Sequence, residues 1–343
     1  MKALRLGIIG VGNFVIKRHI PEIIEAKKKI KLVSICRRNV KSLIKIGEKF
    51  KISSLYTDYT EMLKKEKLDV ILIASPHSLH FKHAIEALRY NCHVIIEKPM
   101  VTSANQAKKI IQVAKIKNKK IIPLYNPPYE SHMRELKKLV SDKKRFGKIE
   151  HINLTWLDYK SSFFGKGSFI ESQISEIMPT NFRLDKNLSA GGILFDSGCH
   201  LIAELIWIIK KKPKAIFANF DNLNTELRLT LSIEFENLFF ANINIVGDSK
   251  FKIRRLESCY WGEKQTVRLT GKPYQINIFE KNNNNTKIVK KFKKLDTPIL
   301  ESIKHIKKNK KLEISLNQSL NIISIIEHAY KSAKSKKKET INY

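Results

Sequence analysis

Three short stretches of this chain carry residue types whose spacing suits chemistry as well as packing. Gly10 and Gly12 form a Gly-x-Gly turn directly after a short apolar run. Residues 97–99 read Glu-Lys-Pro, and Asp196 precedes His200 by four residues. Glycines in such a turn let a phosphate approach the backbone at a helix N-terminus. A lysine can stabilise a developing negative charge and a histidine titrates near neutral pH, so the other two stretches suit proton transfer.

The glycine turn fits the phosphate-binding turn of a dinucleotide site. It lies between a predicted strand, 4–9, and a predicted helix, 14–27. Gly10 permits the tight turn and Gly12 the close approach of a pyrophosphate. The third position of the usual G-x-G-x-x-G/A pattern is Val15, which departs from it. A structural turn without a ligand is the alternative, and the strand–turn–helix order favours binding.

The end of the second predicted strand, 31–36, bears on which dinucleotide is bound. An NAD site usually places Asp or Glu there to bind the ribose 2′-hydroxyl. This chain has Arg37 and Arg38 instead. An arginine pairs with a 2′-phosphate, which a carboxylate would repel, so the sequence favours NADP(H) over NAD(H). The alternative is that both are ordinary surface arginines.

The other two stretches have plain structural interpretations as well. Glu97 and Lys98 could be a surface ion pair, although they follow a strand at the sheet edge where ligands bind in open α/β sheets. Asp196 and His200, four apart on a predicted helix, share one face. They could be a capping Asp and a buried, hydrogen-bonded His. Together, the two stretches favour a catalytic site.

The elements that must position these residues change character near residue 125. Before it, strands and helices alternate, which predicts a doubly wound parallel sheet, a Rossmann domain over residues 1–125. The strands predicted there are 4–9, 31–36, 69–74, 92–96 and 120–124, and the helices are 14–27, 40–50, 59–66, 78–89 and 103–117.

Residues 126–343 predict a second α/β domain with antiparallel strands. Residues 161–180 are irregular, an apolar helix covers 193–210 after Gly191-Gly192, and Asn282 to Asn285 predict an exposed turn. The predicted strands are 150–157, 214–220, 225–236, 238–246, 250–261, 265–270 and 274–280, and the closing helices are 297–308 and 316–334.

Composition excludes several classes of protein. The net charge of +33 comes from 53 Lys and 12 Arg, and the Lys residues are scattered along the chain. Nucleic-acid recognition favours clustered Arg, so we expect solvated helix faces and no nucleic-acid partner. No apolar run approaches the roughly 18 residues that span a bilayer, and no signal peptide is visible. The four Cys lack metal or redox spacing, which favours reduced, partly buried thiols and a cytoplasmic location.

The motifs occur in an order that resembles the Gfo/Idh/MocA oxidoreductases over nearly the whole chain. The residues that carry the resemblance are Gly10-x-Gly12, Ser75-Pro76-x-x-x-His80, Glu97-Lys98-Pro99, Asn126, Phe182-Arg183, Gly191-Gly192-x-Leu194-x-Asp196-x-Gly198-x-His200 and the closing segment Ala329–Ala333.

The resemblance implies a Rossmann domain, a second domain with a large, mostly antiparallel sheet, and a final helix that packs on the first domain. It implies that Lys98 is catalytic or orients substrate, before a Lys98–Pro99 bond that can be cis. His200 would be the general acid/base, Asp196 would position it, and Arg183 would lie near the substrate. The cofactor-binding residues implied are Gly10, Gly12, Asn13, Phe14, Arg37, Arg38, Ser75, Pro76, His80, Glu97, Lys98 and Asn126.

The implied activity is hydride transfer between a nicotinamide and a sugar, sugar-nucleotide or polyol carbon, in a homodimer or homotetramer. A non-catalytic dinucleotide-binding regulator is the alternative. No metal is expected, because Lys98 supplies the positive charge and the histidines at 77, 80 and 83 have no acidic or Cys companion. Ala203 and Pro127-Pro128 also depart from the family pattern and leave the substrate open.

Overall fold

The computed structural model of the chain describes residues 2–166, 180–236, 239–251, 254–281 and 283–342. The predicted irregular stretch at 161–180 therefore lies mostly outside the described residues, as does Asn282 of the predicted turn.

Strands and helices alternate up to residue 124, as predicted. In chain order they are β1 (Leu4–Ile9), α1 (Ile20–Glu25), β2 (Ile30–Cys36), α2 (Val40–Phe50), β3 (Ser54–Tyr56), α3 (Tyr59–Lys65), β4 (Val70–Ile73), α4 (His80–Arg89), β5 (His93–Glu97), α5 (Ala104–Ile116) and β6 (Ile121–Leu124). These strands form a parallel sheet in the order β3-β2-β1-β4-β5-β6. Every β4 side chain is buried, as expected for a strand covered on both faces. The predicted Rossmann fold is confirmed.

The later elements form a second sheet with its helices. In chain order they are α6 (Ser131–Ser141), α7 (Lys143–Phe146), β7 (Ile149–Leu157), α8 (Lys186–Ser189), α9 (Cys199–Ile209), β8 (Pro213–Phe220), β9 (Arg228–Phe235), β10 (Phe240–Val246), β11 (Arg255–Gly262), β12 (Gln265–Gly271), β13 (Gln275–Glu280), β14 (Asn283–Val289), α10 (Pro298–Lys308), α11 (Leu316–Ser335) and β15 (Glu339–Thr340). The sheet order is β14-β13-β12-β11-β7-β10-β9-β8-β15. The predicted mostly antiparallel sheet is confirmed.

Two features of the second sheet differ from the sequence-based expectation. β7 and β10 pair in parallel, although every other pair is antiparallel among the described strands of this sheet. The turn predicted at Asn282 to Asn285 is wrong from Asn283 onward, because Asn283 begins β14 and pairs with Glu280. Asparagine disfavours strands, but pairing along an existing strand outweighs that weak preference.

Contacts divide the described residues into two units. The first comprises residues 2–124, 180–190 and 296–316, and the second comprises the remainder. Our predicted second domain, 126–343, thus differs at α10, whose Ile299 and Ile303 complete the apolar core of the first unit. α11 belongs largely to the second unit, where Ser332 Oγ accepts the Ala218 N–H at 3.0 Å. The predicted packing of this final helix on the first domain stays a prediction.

One helical stretch of the described residues, Lys186–Ile209, is long and apolar enough to cross a membrane. Its most apolar window is 94% buried within the protein, which is how the core helix of a folded domain behaves. All four cysteines are free and buried.

Candidate active site

The glycine turn at the end of β1 has a shape that glycine alone fits at one position. Gly10 has a φ of +90°, and a Cβ there would lie 2.5 Å from the Ser75 backbone nitrogen. Its N–H donates to the Cys36 carbonyl at 3.0 Å, which ties the turn to β2. A Cβ at Gly12, in contrast, would meet open space. The turn therefore leaves room beside its backbone for a ligand group.

The chain after this turn enters a π-helical segment, Val15–His19, before α1. Val15, the departure from the glycine pattern, is buried in the core of the first unit, so its side chain points away from the turn's open space. Phe14 is about half exposed, its ring edge-on to His19 at 5.2 Å, with the Arg18 guanidinium 5.7 Å above it. Asn13 precedes this segment and is partly exposed.

Arg37 lies at the glycine turn, as the NADP prediction requires. Its side-chain Nη1 donates to the Val11 carbonyl, and its backbone N–H donates to the Tyr56 carbonyl at 3.0 Å. Burial lowers the pKa of Arg37 from its usual value. Its Nε is buried and has no hydrogen-bond partner within the described parts of the chain. An anionic group would satisfy that donor. Arg38 is exposed.

The loops after β4 and β5 are joined by His80. Its Nδ1 lies 2.9 Å from the Pro99 carbonyl and its Nε2 lies 2.8 Å from the Ser75 carbonyl. Burial is the largest influence on His80 and lowers its pKa, although both carbonyls oppose this. The His83 ring contacts the Ser75 hydroxyl at 2.9 Å. The fully buried His80 ring therefore holds the Ser75-Pro76 turn beside the Lys98-Pro99 turn.

Lys98 follows β5, and its backbone contacts a glutamate that pairs with a buried histidine. His19 Nε2 lies 2.6 Å from Glu97 Oε1, and Glu97 Oε2 accepts the Lys98 N–H at 3.1 Å. The Lys98–Pro99 peptide bond is cis, which confirms that expectation. The Lys98 side chain itself is partly exposed. The first unit therefore brings the glycine turn, Arg37, Ser75, His80, Glu97 and Lys98 to one sheet edge, where the strands end.

The other histidines of the predicted cluster have structural partners. His77 Nδ1 lies 2.9 Å from the Ser189 carbonyl, and its ring stands edge-on to Phe182 at 5.4 Å. The Arg183 guanidinium lies 4.5 Å from the Phe182 ring centre. The first unit thus places Arg183 near α8 and His77. Within the described parts of the chain, no group of three or more His, Cys, Asp or Glu side chains is arranged to hold a metal ion.

In the second unit, Gly191 and Gly192 form the turn that begins the helix of Asp196 and His200. Glu226, fully buried, accepts N–H groups of Gly192 at 3.0 Å and Leu194 at 3.1 Å. The Tyr330 hydroxyl donates to Glu226 at 2.6 Å. A Cβ at Gly192 would collide with the Glu226 backbone. The carboxylate thus caps this helix from outside, because its N–H groups have no partner within the helix.

Burial is the largest influence on Glu226 and raises its pKa to about 7, although its hydrogen bonds oppose this. The pKa of Glu204, further along the same helix, is raised to about 7 by burial as well, against hydrogen bonds that lower it. Tyr260 donates to Glu204 at 3.0 Å. The second unit thus holds two buried carboxyl groups that titrate near neutral pH.

Asp196 lies in a π-helical segment, Leu194–Gly198, that precedes α9. The prediction assumed an ordinary α-helix here, whereas this segment has π-helical hydrogen bonds, and the shared face of Asp196 and His200 stays a prediction. Buried Asp196 accepts from Lys160 Nζ at 2.9 Å, and the same Nζ reaches Ser197 Oγ at 2.6 Å. Sequence reasoning missed Lys160, which precedes Asp196 by 36 residues.

His200 is partly exposed at the start of α9, and its ring lies nearly parallel to the Trp156 ring at 6.2 Å. Trp156 Nε1 donates to Asp158 at 3.2 Å, and Arg254 Nε donates to the same carboxylate oxygen at 3.2 Å. The second unit thus places the His200 ring beside the Trp156 ring, and it also contains the Asp196–Lys160 pair. Asn126 also belongs to this unit, where its carbonyl accepts the Tyr129 N–H at 2.8 Å.

Family models match most of the chain. A model described as the oxidoreductase family with an NAD-binding Rossmann fold, Gfo/Idh/MocA, matches residues 4–125. A model of the Gfo/Idh/MocA C-terminal domain matches residues 133–271.

Curated relatives resemble the chain at low identity. D-glucoside 3-dehydrogenase of Escherichia coli K12 is 26% identical over 208 residues, which cover 60% of this chain and 54% of the relative, about half its length. The NADP(+)-dependent scyllo-inositol 2-dehydrogenase of Bacillus subtilis 168 is 22% identical, and the matched region covers 86% of this chain and 90% of that enzyme. The structure of levoglucosan dehydrogenase with NADH and L-sorbose covers both chains fully, at 16% identity and a TM-score of 0.85, which supports a shared fold.

Proposed function

The chain belongs to the Gfo/Idh/MocA family of oxidoreductases, and on that premise we propose that it transfers a hydride between a nicotinamide and a carbinol or carbonyl carbon of a sugar, sugar nucleotide or polyol. The dehydrogenases of sugars and inositol among its relatives support this substrate class. The observation that carries the proposal is that two residues of the proposed site, Lys98 and Asp196, are held in place by hydrogen bonds. Glu97, which pairs with buried His19, accepts the Lys98 backbone N–H, and Asp196 accepts a hydrogen bond from Lys160.

The residues present fit a dinucleotide, and we propose NADP(H) in preference to NAD(H). The open space at Gly12 gives a phosphate access to the turn's backbone. Arg37 already lies at this turn with an unsatisfied Nε, and Arg38 is exposed beside it. Arginines in these positions suit a 2′-phosphate.

Lys98 and His200 divide the work on the reacting alcohol. When bound, the nicotinamide accepts the hydride from the carbinol carbon or supplies it in reverse. The Lys98 ammonium holds the substrate oxygen and stabilises the charge that develops there. His200 takes the hydroxyl proton as that oxygen becomes a carbonyl. Asp196, fixed by Lys160, orients the substrate and His200, and Arg183 contacts the substrate.

The experiment compares Lys98→Met and His200→Asn with matched controls elsewhere. Lys117→Met and His93→Asn change the same residue types away from the proposed site. NADPH or NADP+ turnover is measured against D-glucose, a methyl glucoside, scyllo-inositol and a UDP-sugar. We expect each site variant to lose roughly 10²–10⁴-fold in turnover, the usual contribution of a positioned acid or base, while the controls keep theirs.

Full activity in both site variants would refute the site assignment. Tight NADPH binding without turnover of any of these alcohols or the matching ketones would favour the second candidate, a non-catalytic dinucleotide-binding regulator. The retained Lys98, Asp196 and His200 argue against that candidate, because a sensor needs no proton-transfer groups.

We also propose that the chain forms a homo-oligomer through the outer face of the second sheet. In that face, Phe240 of β10, His151 of β7 and Trp261 of β11 are direct cross-strand partners. Thr266 of β12 pairs with Trp261, and Phe279 of β13 pairs with Thr266, so these side chains form one row across the sheet. Phe240 and Phe279 are each about 40% exposed. Light scattering, which measures the molar mass of the assembly in solution, tests this proposal.

The cytoplasmic location stays a prediction.

A further inference from the structure

Arg254 immediately precedes β11 and lies on the face of the second sheet that contacts the helix of His200. β11 and β7 are antiparallel, with Arg255 opposite Leu157, so Arg254 comes opposite Asp158. Successive side chains of a strand point to opposite faces, which puts this aspartate on the same face as Trp156. Two hydrogen bonds agree with the placement, because Trp156 Nε1 and Arg254 Nε both donate to Asp158 Oδ2 at 3.2 Å.

The neighbours of Asp158 on this face contact the two proposed site residues of the second unit. The Trp156 ring lies nearly parallel to the His200 ring, with the ring centres 6.2 Å apart. Lys160, on the other side of Asp158, donates to Asp196 at 2.9 Å. The arginine bound to Asp158 therefore belongs to the same part of the second unit as both proposed site residues.

Two contacts fix the Arg254 side chain and leave its terminal nitrogens available. Nε donates to Asp158, and the guanidinium carbon lies 5.0 Å from the centre of the Trp156 ring. Asp158 is only 2% exposed, and its other oxygen accepts the Tyr159 N–H at 3.0 Å. Nη1 and Nη2 of Arg254 make no hydrogen bond within the described residues, and the side chain is 42% exposed. The fork thus faces solvent in a defined plane.

This arrangement differs from that of an arginine that only neutralises a buried carboxylate. Such a pair commonly uses two parallel N–H···O bonds, whereas Arg254 uses Nε alone on Asp158. The unused donors form the planar fork that matches a carboxylate or a phosphate. Because Asp158 and Trp156 already order the side chain, an anion binds without the full entropic cost of fixing it. The net charge of +33 also draws anionic molecules to the protein.

We propose that Arg254 is a specificity-determining residue whose terminal nitrogens bind an oxyanion of the substrate, either the carboxylate of a sugar acid or the phosphate of a sugar phosphate. This inference rests on the proposed function, since it takes the space beside His200 as the place of the substrate. It narrows the substrate class from sugars and polyols in general to those that carry a negative charge.

The test measures affinity without turnover. Isothermal titration calorimetry compares D-glucuronate, D-glucose 6-phosphate and D-glucose 1-phosphate with D-glucose, in the presence of NADPH, which cannot oxidise an alcohol. We expect an anionic sugar to bind at least roughly tenfold more tightly than D-glucose. In Arg254→Gln that preference should fall roughly ten- to hundredfold, with D-glucose affinity unchanged, because charge-assisted hydrogen bonds are lost. Tight binding of D-glucuronate would identify a carboxylate, and tight binding of a glucose phosphate would identify a phosphate.

The matched control is Arg255→Gln. Arg255 is the next residue, on the opposite face of β11, and its guanidinium carbon lies 3.9 Å from the Phe251 ring centre. This variant should keep the preference for anionic sugars.

If Arg254→Gln does not fold, because buried Asp158 loses its partner, the wild-type chain supplies a second measurement. Phenylglyoxal modifies arginine side chains, and mass spectrometry reads the modification of Arg254 against that of exposed Arg228. Inorganic phosphate or D-glucuronate should slow the modification of Arg254 and leave that of Arg228 unchanged, whereas D-glucose should protect neither.

Equal affinity of the wild-type chain for charged and neutral sugars would overturn the inference, as would an undiminished preference in folded Arg254→Gln or the absence of protection at Arg254. Loss of the preference in Arg255→Gln as well would also do so, since it would mark a general attraction to positive charge. These outcomes are separate from the proposed function. A chain that oxidises no sugar can still show the Arg254 effect, and an enzyme that turns over neutral sugars can lack it.

Discussion

Removing the Glu226 carboxylate should loosen the turn that begins the helix of Asp196 and His200. In Glu226→Ala, the N–H groups of Gly192 and Leu194 and the Tyr330 hydroxyl lose a buried acceptor, and only the Gly192 N–H keeps a second one, the Tyr330 hydroxyl at 3.2 Å, among the described residues. Each unsatisfied group costs about 1–3 kcal/mol, less where water enters the space. With two groups left unsatisfied, we therefore expect a loss of about 2–6 kcal/mol, a large share of the roughly 5–15 kcal/mol that holds a folded domain together.

Glu226→Gln separates the charge of this group from its shape. Burial raises its pKa from 4.5 to about 7, so the folded protein binds the proton more tightly than the unfolded chain does. The stability from this group is fully present below pH 4.5 and is lost as pH rises through 7. The shift corresponds to about 3 kcal/mol. The Gln variant resembles the protonated acid, so its stability should fall less over this pH range.

Thermal unfolding of wild type and both variants between pH 4.5 and 8 measures these effects. Hydrogen exchange at Gly192 and Leu194 reports the turn itself, and it should speed up in Glu226→Ala. Tyr260→Phe is the matched control, since Tyr260 also donates to a buried carboxyl group but does not contact the turn. Wild-type exchange at Gly192 in Glu226→Ala, or faster exchange there in Tyr260→Phe, would refute the reasoning.

Two further predictions concern the dinucleotide. Gly10→Ala should unfold at lower temperature, because its Cβ meets Ser75 backbone at 2.5 Å at a φ of +90°, whereas Gly12→Ala should unfold like wild type and yet bind NADPH more weakly by fluorescence titration. Loss of stability in Gly12→Ala without loss of NADPH affinity would count against the phosphate-binding turn. Arg37→Ser should weaken NADPH binding at least tenfold relative to NADH, since a paired arginine–phosphate contact is lost. An equal loss for both cofactors would contradict the 2′-phosphate assignment.

Local sequence was enough to predict the parts of the site that one segment builds. The glycine turn and the Glu97-Lys98-Pro99 stretch each lie where a strand ends, and an alternating strand–helix pattern places such ends at one sheet edge. The side chains that hold the site residues and their turns in place could not be predicted, because they come from distant segments of the chain. His19 lies 78 residues from Glu97, and Glu226 lies 34 from Gly192.

The differences from prediction have the same origin. A local pattern gives a strand's existence but not its neighbour, so nothing in residues 149–157 indicates the parallel pairing of β7 with β10. The π-helical segment at Leu194–Gly198 was likewise read as ordinary α-helix, because the apolar run has no irregularity in its composition.

The central place of β7 has a consequence for how the polypeptide is assembled during synthesis. This strand is the earliest described strand of its sheet and pairs with β10 and β11, which end at Val246 and Gly262, so even the first of these partners is complete only after about ninety more residues have left the ribosome. The first unit waits longer still, since α10 completes its core near residue 300. A nascent chain shorter than this leaves apolar surface of both units uncovered, which makes it a substrate for chaperones and prone to aggregate.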